Sequence, residues 1–362
     1  MSSTATAESL KVLQVMAGAD HGGAETAYVD FSIALKEYGV DVICATRANP
    51  VRVPQLKEAG IPVTTLPFGG PVDLYTPMAI KQLIAKQKPQ IVQTWMSRAG
   101  QKLPAWRGSD KPYRVISRLG GYYKLKHFPQ TDMFATITPD IKRFLFEEGV
   151  PDTKVVHINN FAELEEESAR PVDRAALQTP EDAPLLLTLS RLHESKALDI
   201  LIVAMKDVPK AHLWIAGEGP DRAALEQQAK DLGISDRVHF LGWRSDRAAL
   251  LATADICVFP SRYEPFGTVF VQAWASKTPL IVSDAAGPAQ YVRDEEDCLQ
   301  VPKDNASALT QAIKRLSTDP ALAKTLIANG WKRYQGEFTK EETLRQYVAL
   351  YRTLIEELRA AA

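Results

Sequence analysis

Short apolar runs of β-forming residues alternate along the chain with longer stretches of helical periodicity. In the first half, Val12–Met16, Val40–Ala45, Val63–Leu66, Ile91–Thr94, Val115–Ser117, Met133–Ile137 and Val155–Ile158 predict strands. Glu25–Tyr38 and Pro77–Gln87 carry helical spacing between them, with Gly39 and Lys88–Pro89 as stops. This rhythm is that of βαβ units around a parallel sheet; an α+β domain would cluster its strands. The segment Glu163–Ala183 interrupts it with EEE at 165–167, Pro171 and Pro180, Pro184 just beyond, and no sustained apolar period, so it reads as a linker or surface excursion. The alternation restarts with strands Leu185–Leu189, His212–Ala216, Val238–Leu241, Ile256–Phe259 and Leu280–Val282, and helices over Asp221–Leu232, Gly267–Ala275 and Ala306–Leu316. Pro320–Ala362 is helical in pattern with a break near Gly336–Phe338.

The expected fold is therefore α/β, two Rossmann-like βαβ domains in series. The boundaries are an N-terminal domain over 1–165, a C-terminal domain over 184–335, and a closing helix over 336–362 that packs back on the first. Open parallel sheets bind ligands beyond the carboxyl ends of their strands, and two such domains face to face would make a cleft.

Composition narrows this only slightly. A length of 362 residues suits two domains, and 45% hydrophobic with 24% charged residues is ordinary for a globular protein. The formal net charge of -1 argues against a nucleic-acid coat, and no nucleic-acid motif is present. Cys44, Cys257 and Cys298 are too scattered for a metal knuckle or a disulfide framework, which suggests a reducing, cytoplasmic compartment. The start lacks the basic and long apolar regions of a secretory signal. No run approaches the roughly 18 apolar residues of a membrane span, so a membrane role would be at the surface, at the inner face.

Candidate chemistry gathers in turns after strands. Gly22 and Gly23 follow the first strand, and adjacent glycines let a backbone approach an anionic or oxygen-rich ligand; a plain tight turn needs them equally. Gly217 and Gly219 occupy a second such turn, before Pro220 and Asp221 at a helix start. Neither has the spacing of the dinucleotide fingerprint. Arg191 and Lys196 follow the Leu185–Leu189 strand, where a rigid fork and a compact charge could together neutralise a diphosphate, or simply be solvated. The segment FPSRYEPFGTVFVQAWA puts Glu264 and Pro265 in a loop before a helix whose amides at Gly267, Thr268 and Val269 offer donors to a phosphate. Glu264 could hold sugar hydroxyls there, or cap the helix; Gln272 follows eight residues later, as a ligand amide or a polar surface residue.

Taken together, these motifs resemble the retaining nucleotide-sugar glycosyltransferases of family 4, which have the two-domain GT-B architecture. The resemblance spans almost the whole chain. Gly22-Gly23-Ala24-Glu25 resembles the family's N-terminal acceptor-side loop, and Ser190-Arg191-Leu192 with Lys196 its diphosphate-binding pair. Gly217-Glu218-Gly219-Pro220, Gly242, Asp255 and Pro260-Ser261 follow in the expected order, and Glu264-Pro265-Phe266-Gly267 matches the start of the Glu-x7-Glu motif. Two departures stand out. The second glutamate is Gln272, which can bond ribose hydroxyls without charge assistance. The histidine that many relatives carry after the fifth strand is missing from VISRLGGYYK, where Arg118 stands instead; a guanidinium cannot act as a base near neutral pH.

The resemblance implies transfer of a sugar from a UDP-, GDP- or ADP-sugar to an acceptor hydroxyl with retention, needing neither cofactor nor metal. Glu264, Arg191 and Lys196 would carry the chemistry. Gly22, Gly23, Gly217, Gly219, Pro265, Phe266, Gly267, Thr268, Val269 and Gln272 would hold the donor. Between positions 98 and 126 the chain carries Arg98, Lys102, Arg107, Lys111, Arg114, Arg118, Lys124 and Lys126 against Asp110 alone. Trp106, Tyr113, Tyr122, Tyr123 and Phe128 are interleaved, the last just past that stretch. This is either a solvated basic face over core aromatics or an acceptor side, with Arg98, Arg118, Tyr122 and Lys124, for a saccharide or an anionic glycolipid such as a lipopolysaccharide core, at an anionic membrane surface. A nucleotide-sugar-binding scaffold with a degraded active site is the alternative; a phosphorylase or sugar-nucleotide epimerase is a third reading.

Overall fold

The computed structural model describes residues 10–19, 22–70, 72–106, 111–161 and 170–360. The acidic run at 165–167, the expected domain end at 165, and Arg107 and Asp110 lie outside the described residues. The chain divides into two compact units, residues 1–160 with 340–362, and residues 161–339.

The first unit alternates β1 (Lys11–Met16), α1 (Gly23–Glu37), β2 (Asp41–Thr46), α2 (Arg52–Glu58), β3 (Val63–Thr65), α3 (Tyr75–Gln87), β4 (Ile91–Trp95), α4 (Met96–Gln101), β5 (Arg114–Leu119), β6 (Met133–Thr136), α5 (Pro139–Glu147) and β7 (Val155–His157). Its strands form one parallel sheet in the order β3-β2-β1-β4-β5-β6-β7. Both faces are covered, which is why β4 is buried along its whole length and reads in sequence as a continuous run. The expected stops operate: Gly39 has φ 91° after α1, and Lys88 ends α3 in the left-handed conformation.

The second unit repeats the plan with β8 (Leu185–Leu189), α6 (Leu198–Met205), β9 (His212–Ala216), α7 (Arg222–Asp231), β10 (Val238–Gly242), α8 (Arg247–Thr253), β11 (Ile256–Phe259), α9 (Thr268–Ala275), β12 (Leu280–Ser283), β13 (Leu299–Val301), α10 (Ala306–Thr318) and α11 (Pro320–Glu337). The sheet order is β10-β9-β8-β11-β12-β13, again parallel. Asn305 and Asp319 cap α10 and α11 through their side chains, and Pro320 supplies the first residue of α11. The break foreseen near Gly336–Phe338 falls after Glu337. The last helix, α12 (Lys340–Ala360), then joins the first unit: Tyr347 meets Phe31 at 4.6 Å and the Tyr351 hydroxyl donates to Gln93 Oε1 at 2.5 Å.

Elements beyond those expected are short ones, such as β13, α2 and α4, whose lengths do not establish a period, and α6, which is too apolar to show one face. In both sheets the order reverses beside the first strand, between β1 and β4 and between β8 and β11. The helices then leave on opposite faces, and a crevice opens at the carboxyl edge.

An aromatic cluster supports that edge in the second unit. Phe338 is fully buried and lies 5.8 Å from both Phe270 and Trp274, 5.6 Å from Tyr291 and 6.4 Å from Phe266. It thereby ties α9 to the end of α11 at the point where the chain leaves the unit. Phe338→Ala removes the shared ring, and we expect a loss of about 3–5 kcal/mol of unfolding free energy. Urea denaturation of the full chain measures it; a loss below about 1 kcal/mol would mean the cluster closes over the gap or matters little.

Candidate active site

The switch between β8 and β11 brings two loops together. The first, after β8, runs through Arg191 to a 3-10 turn over Glu194–Lys196, where His193 Nδ1 accepts from the Ser195 amide at 3.2 Å. The second, after β11, carries Arg262, Tyr263 and Glu264. The Ser195 carbonyl accepts from the amides of Arg262 (2.8 Å) and Tyr263 (3.2 Å), so the loops are joined through their backbones. The Arg262 guanidinium adds a fork onto the Asp199 carboxylate, 2.9 and 2.6 Å, and donates to the Glu194 carbonyl at 2.6 Å. Its hydrogen bonds to Asp199 hold that charge firmly above the ordinary arginine value.

Lys196 and Glu264, far apart in sequence, meet here: the Lys196 ammonium donates to the Glu264 carboxylate, and both are mostly withdrawn from solvent. Removing either partner would leave a partly buried charge unpaired. Arg191 is exposed on the same loop, with no ion pair or side-chain hydrogen bond recorded for it among the described residues.

Four glycines make this packing possible. A Cβ on Gly267 would lie 2.6 Å from the Phe259 ring and 2.7 Å from Glu264 Cγ, and the residue is left-handed at φ 84°. Gly217 and Gly219 pass so close to the β8 loop that a Cβ would come within 1.9 Å of the Ser190 carbonyl oxygen and 2.1 Å of that of Leu192. Their steric requirement is thus explained by loop crossing. On the other side, the Gly287 amide donates to the Glu264 carbonyl at 2.9 Å, and a Cβ there would stand 2.3 Å from that oxygen.

Gly267 is the N-cap of α9 rather than its first turn, and no side chain caps this helix. The amides at Thr268 and Val269 therefore begin the helix with no side-chain acceptor, and Thr268 is exposed. Gln272 lies one turn beyond Thr268 and is only 4% exposed, so the polar-surface reading of it is wrong. Pro265 is half-buried, while the Phe266 side chain is turned into the aromatic cluster, 5.4 Å from Phe270 and 5.3 Å from Tyr291. Its contribution is to anchor the loop; a side-chain contact to donor is not what this position offers.

In the first unit, Gly22 and Gly23 are exposed at the start of α1, just after the Ala19 amide donates to Glu25 Oε1 at 2.7 Å. The basic stretch does not form one positive face. Lys102 is buried and donates to the carbonyls of Gly70 and Asp73, both at 2.8 Å; Lys111 pairs with Asp132 at 2.6 Å. Tyr113 and Phe128 are core residues. Arg118, expected on the acceptor side, is buried: its guanidinium lies 4.0 Å from the Trp95 ring, donates to Asn160 Oδ1 and faces Tyr347 of α12. Burial lowers its pKa, a sign of interior rather than ligand-facing placement. Arg98, Tyr122 and Lys124 remain exposed, Tyr122 donating to Asp140.

The sequence reading missed Arg262, Gly287 and Trp243. Arg262 sits inside the singled-out RYEP run but looks like any surface arginine; Gly287 shares the after-strand position of the other glycines. Trp243 is 81% exposed directly after β10, at the carboxyl edge of the sheet.

Comparison with known proteins bears on the family and the fold. Residues 169–333 match the family described as glycosyl transferases group 1. Over 353 residues the chain is 32% identical to the lipopolysaccharide core biosynthesis glycosyltransferase LpsE of Rhizobium meliloti, covering 94% of this chain and 98% of that one. It is 33% identical to LpsD of the same organism over the same shares. The structure of Anabaena Alr3699/HepE in complex with UDP-glucose superposes with a TM-score of 0.78 at 18% identity, covering 95% of this chain and 99% of the other, a match of fold. The chain belongs to the group 1 glycosyltransferases. It is a glycosyltransferase with the two Rossmann-like halves of the GT-B architecture, consistent with the family 4 resemblance of its motifs.

Because Gly287 presses directly on the Glu264 backbone, Gly287→Ala should displace the carboxylate. We expect kcat/KM for sugar transfer to fall about a hundredfold with the circular dichroism spectrum unchanged. Wild-type kinetics in that variant would show that the contact does not position Glu264.

Proposed function

We propose that this chain transfers a sugar from a nucleoside-diphosphate sugar to a hydroxyl of a lipopolysaccharide core or related anionic glycolipid, with retention of the anomeric configuration. The observation that carries the reading is the Lys196–Glu264 pair beside the uncapped N-terminus of α9, at the carboxyl edge of the second sheet. The names of LpsE and LpsD support the acceptor class, and the UDP-glucose complex of the HepE structure supports a uridine nucleotide as the first donor to test.

The hard step is departure of the nucleoside diphosphate. Negative charge grows on the phosphates as positive charge grows at the anomeric carbon. Arg191 is exposed and Lys196 follows it on the same loop; with the amides of Thr268 and Val269 they would supply preorganised positive potential for the departing phosphates. Lys196 would exchange part of its contact with Glu264 for a phosphate oxygen. Glu264, released in part from that pair, would accept hydrogen bonds from donor-sugar hydroxyls. Gln272, buried one turn into α9, would offer a neutral amide to ribose hydroxyls. No protein nucleophile is assigned: the pair of flanking carboxylates used by glycoside hydrolases has no counterpart in this reading.

The scaffold alternative rests on Gln272 and on the histidine missing after β5. Turnover decides between them. Presented with UDP-, GDP- and ADP-sugars and a truncated lipopolysaccharide core acceptor, the wild-type protein should form product whose anomeric configuration, read by NMR, matches the donor. Glu264→Gln should lower kcat about a hundredfold or more while donor affinity changes less than about tenfold. An inverted product, undiminished turnover in Glu264→Gln, or tight donor binding with no turnover for any pair would sink the proposal.

A further inference from the structure

The end of the β3–α3 connection and the first turn of α3 expose a compact apolar tip. Val72 is 91% exposed, Leu74 80%, Tyr75 57% and Met78 52%, four large hydrophobic side chains within seven positions. Isolated exposed hydrophobics are ordinary; a cluster of this density is not.

The backbone beneath the tip is fixed. Asp73 Oδ2 accepts from the Gly69 amide at 2.7 Å and the Thr76 hydroxyl at 2.6 Å, and Oδ1 accepts from the Thr76 amide at 3.0 Å. Those bonds, led by the Thr76 hydroxyl, pull the Asp73 carboxyl down to about 2, so it stays ionised. Thr76 Oγ1 in turn accepts from the Phe68 amide at 3.1 Å, and the Lys102 ammonium holds the Gly70 and Asp73 carbonyls from below. A segment pinned this way presents its side chains outward without an ordering cost on contact.

Cations surround its base. Arg47 donates to the carbonyls of Pro67 (3.0 Å) and Phe68 (2.6 Å), and exposed Arg98 donates to those of Phe68 and Gly69, both at 3.3 Å. Lys81 stands exposed on α3 one turn beyond Met78. From Leu66 to Ser109 the sequence contains six lysines and arginines and one acidic residue, Asp73, which is already engaged by Lys102. An apolar tip ringed by cations, with a tyrosine at its shoulder, complements one environment closely: a bilayer surface with anionic headgroups over an apolar interior.

We infer that the tip Val72–Met78 is the element by which this protein docks on an anionic membrane, Val72, Leu74 and Met78 entering the acyl boundary while Arg47, Arg98 and Lys81 meet the headgroups. Of the basic stretch over 98–126, Arg98 lies at the tip, whereas Lys102, Lys111 and Arg118 are spent on internal partners. The inference deepens the proposed acceptor class, because a glycolipid acceptor lies in such a surface. It is tested without donor or acceptor, so its failure and the failure of that proposal are separable.

The test is co-flotation of the full chain with phosphatidylcholine vesicles, with and without phosphatidylglycerol. Wild type should bind the anionic vesicles, be released by high salt, and bind neutral vesicles far less. The exposed double variant Val72→Asp with Leu74→Asp should bind about tenfold less or worse, with an unchanged melting temperature. The apolar swap Val72→Ile with Leu74→Met should bind as wild type. No wild-type binding, equal binding to neutral vesicles, or full binding by the aspartate variant would overturn the inference. So would a mass doubled in solution that the aspartate variant restores to monomer, because the tip would then be covered by a second copy.

Discussion

Neighbouring strands β8 and β11 send their connections to opposite faces of the sheet, and the loops that leave them must cross in the space this opens. Everything in the second unit's site follows from how that crossing is held. The Ser195 carbonyl takes two amides from the β11 loop, Arg262 grips Asp199 from the other side, and Lys196 meets Glu264 at the centre. The pair is mostly withdrawn from water, so each charge is tolerable chiefly because of the other. That makes the site a preorganised but unsaturated arrangement. In the proposed reaction, a polyanion arriving beside Lys196 and the α9 amides would take over part of the lysine's contact and leave the carboxylate free for sugar hydroxyls.

The surrounding packing is what keeps the crossing tight. Glycines 217, 219, 267 and 287 stand where any side chain would strike a loop backbone, the Phe259 ring or Glu264 itself. Phe266 roots the Glu264 loop in a cluster that includes Phe270, Tyr291 and Phe338. The first unit uses the same sheet plan differently. Two of its cations are committed inward, Arg118 to Trp95 and Asn160 and Lys102 to the loop after β3, while Arg47 braces carbonyls of the same loop from its rim. What that investment fixes in place is an apolar tip.

The alternation of runs was enough to read both sheets apart from the short edge strand β13, because strands buried on both faces of a parallel sheet are continuous in sequence. The helices α2, α4 and α6 escaped for lack of a visible period. The strand-end loops were legible as sites through their glycines and through Glu264, Arg191 and Lys196, yet the Lys196–Glu264 contact itself was not, since it depends on which strands are neighbours. Arg118 misled for the same kind of reason. A basic residue in a basic stretch looks solvent-facing until the return of α12 buries it beneath Tyr347 and Tyr351. Of the two readings of Gln272, ligand amide or polar surface residue, burial on the inner face of α9 removes only the second.

The central claim is that Lys196 and Glu264 act as one unit in sugar transfer. A double-mutant cycle on kcat/KM with Lys196→Met, Glu264→Gln and both together measures this directly. Coupling of about 1 kcal/mol or more, the double variant being far less impaired than the product of the single effects, is the predicted result. Additive effects within about 0.3 kcal/mol would contradict it, because the two side chains would then serve the reaction independently.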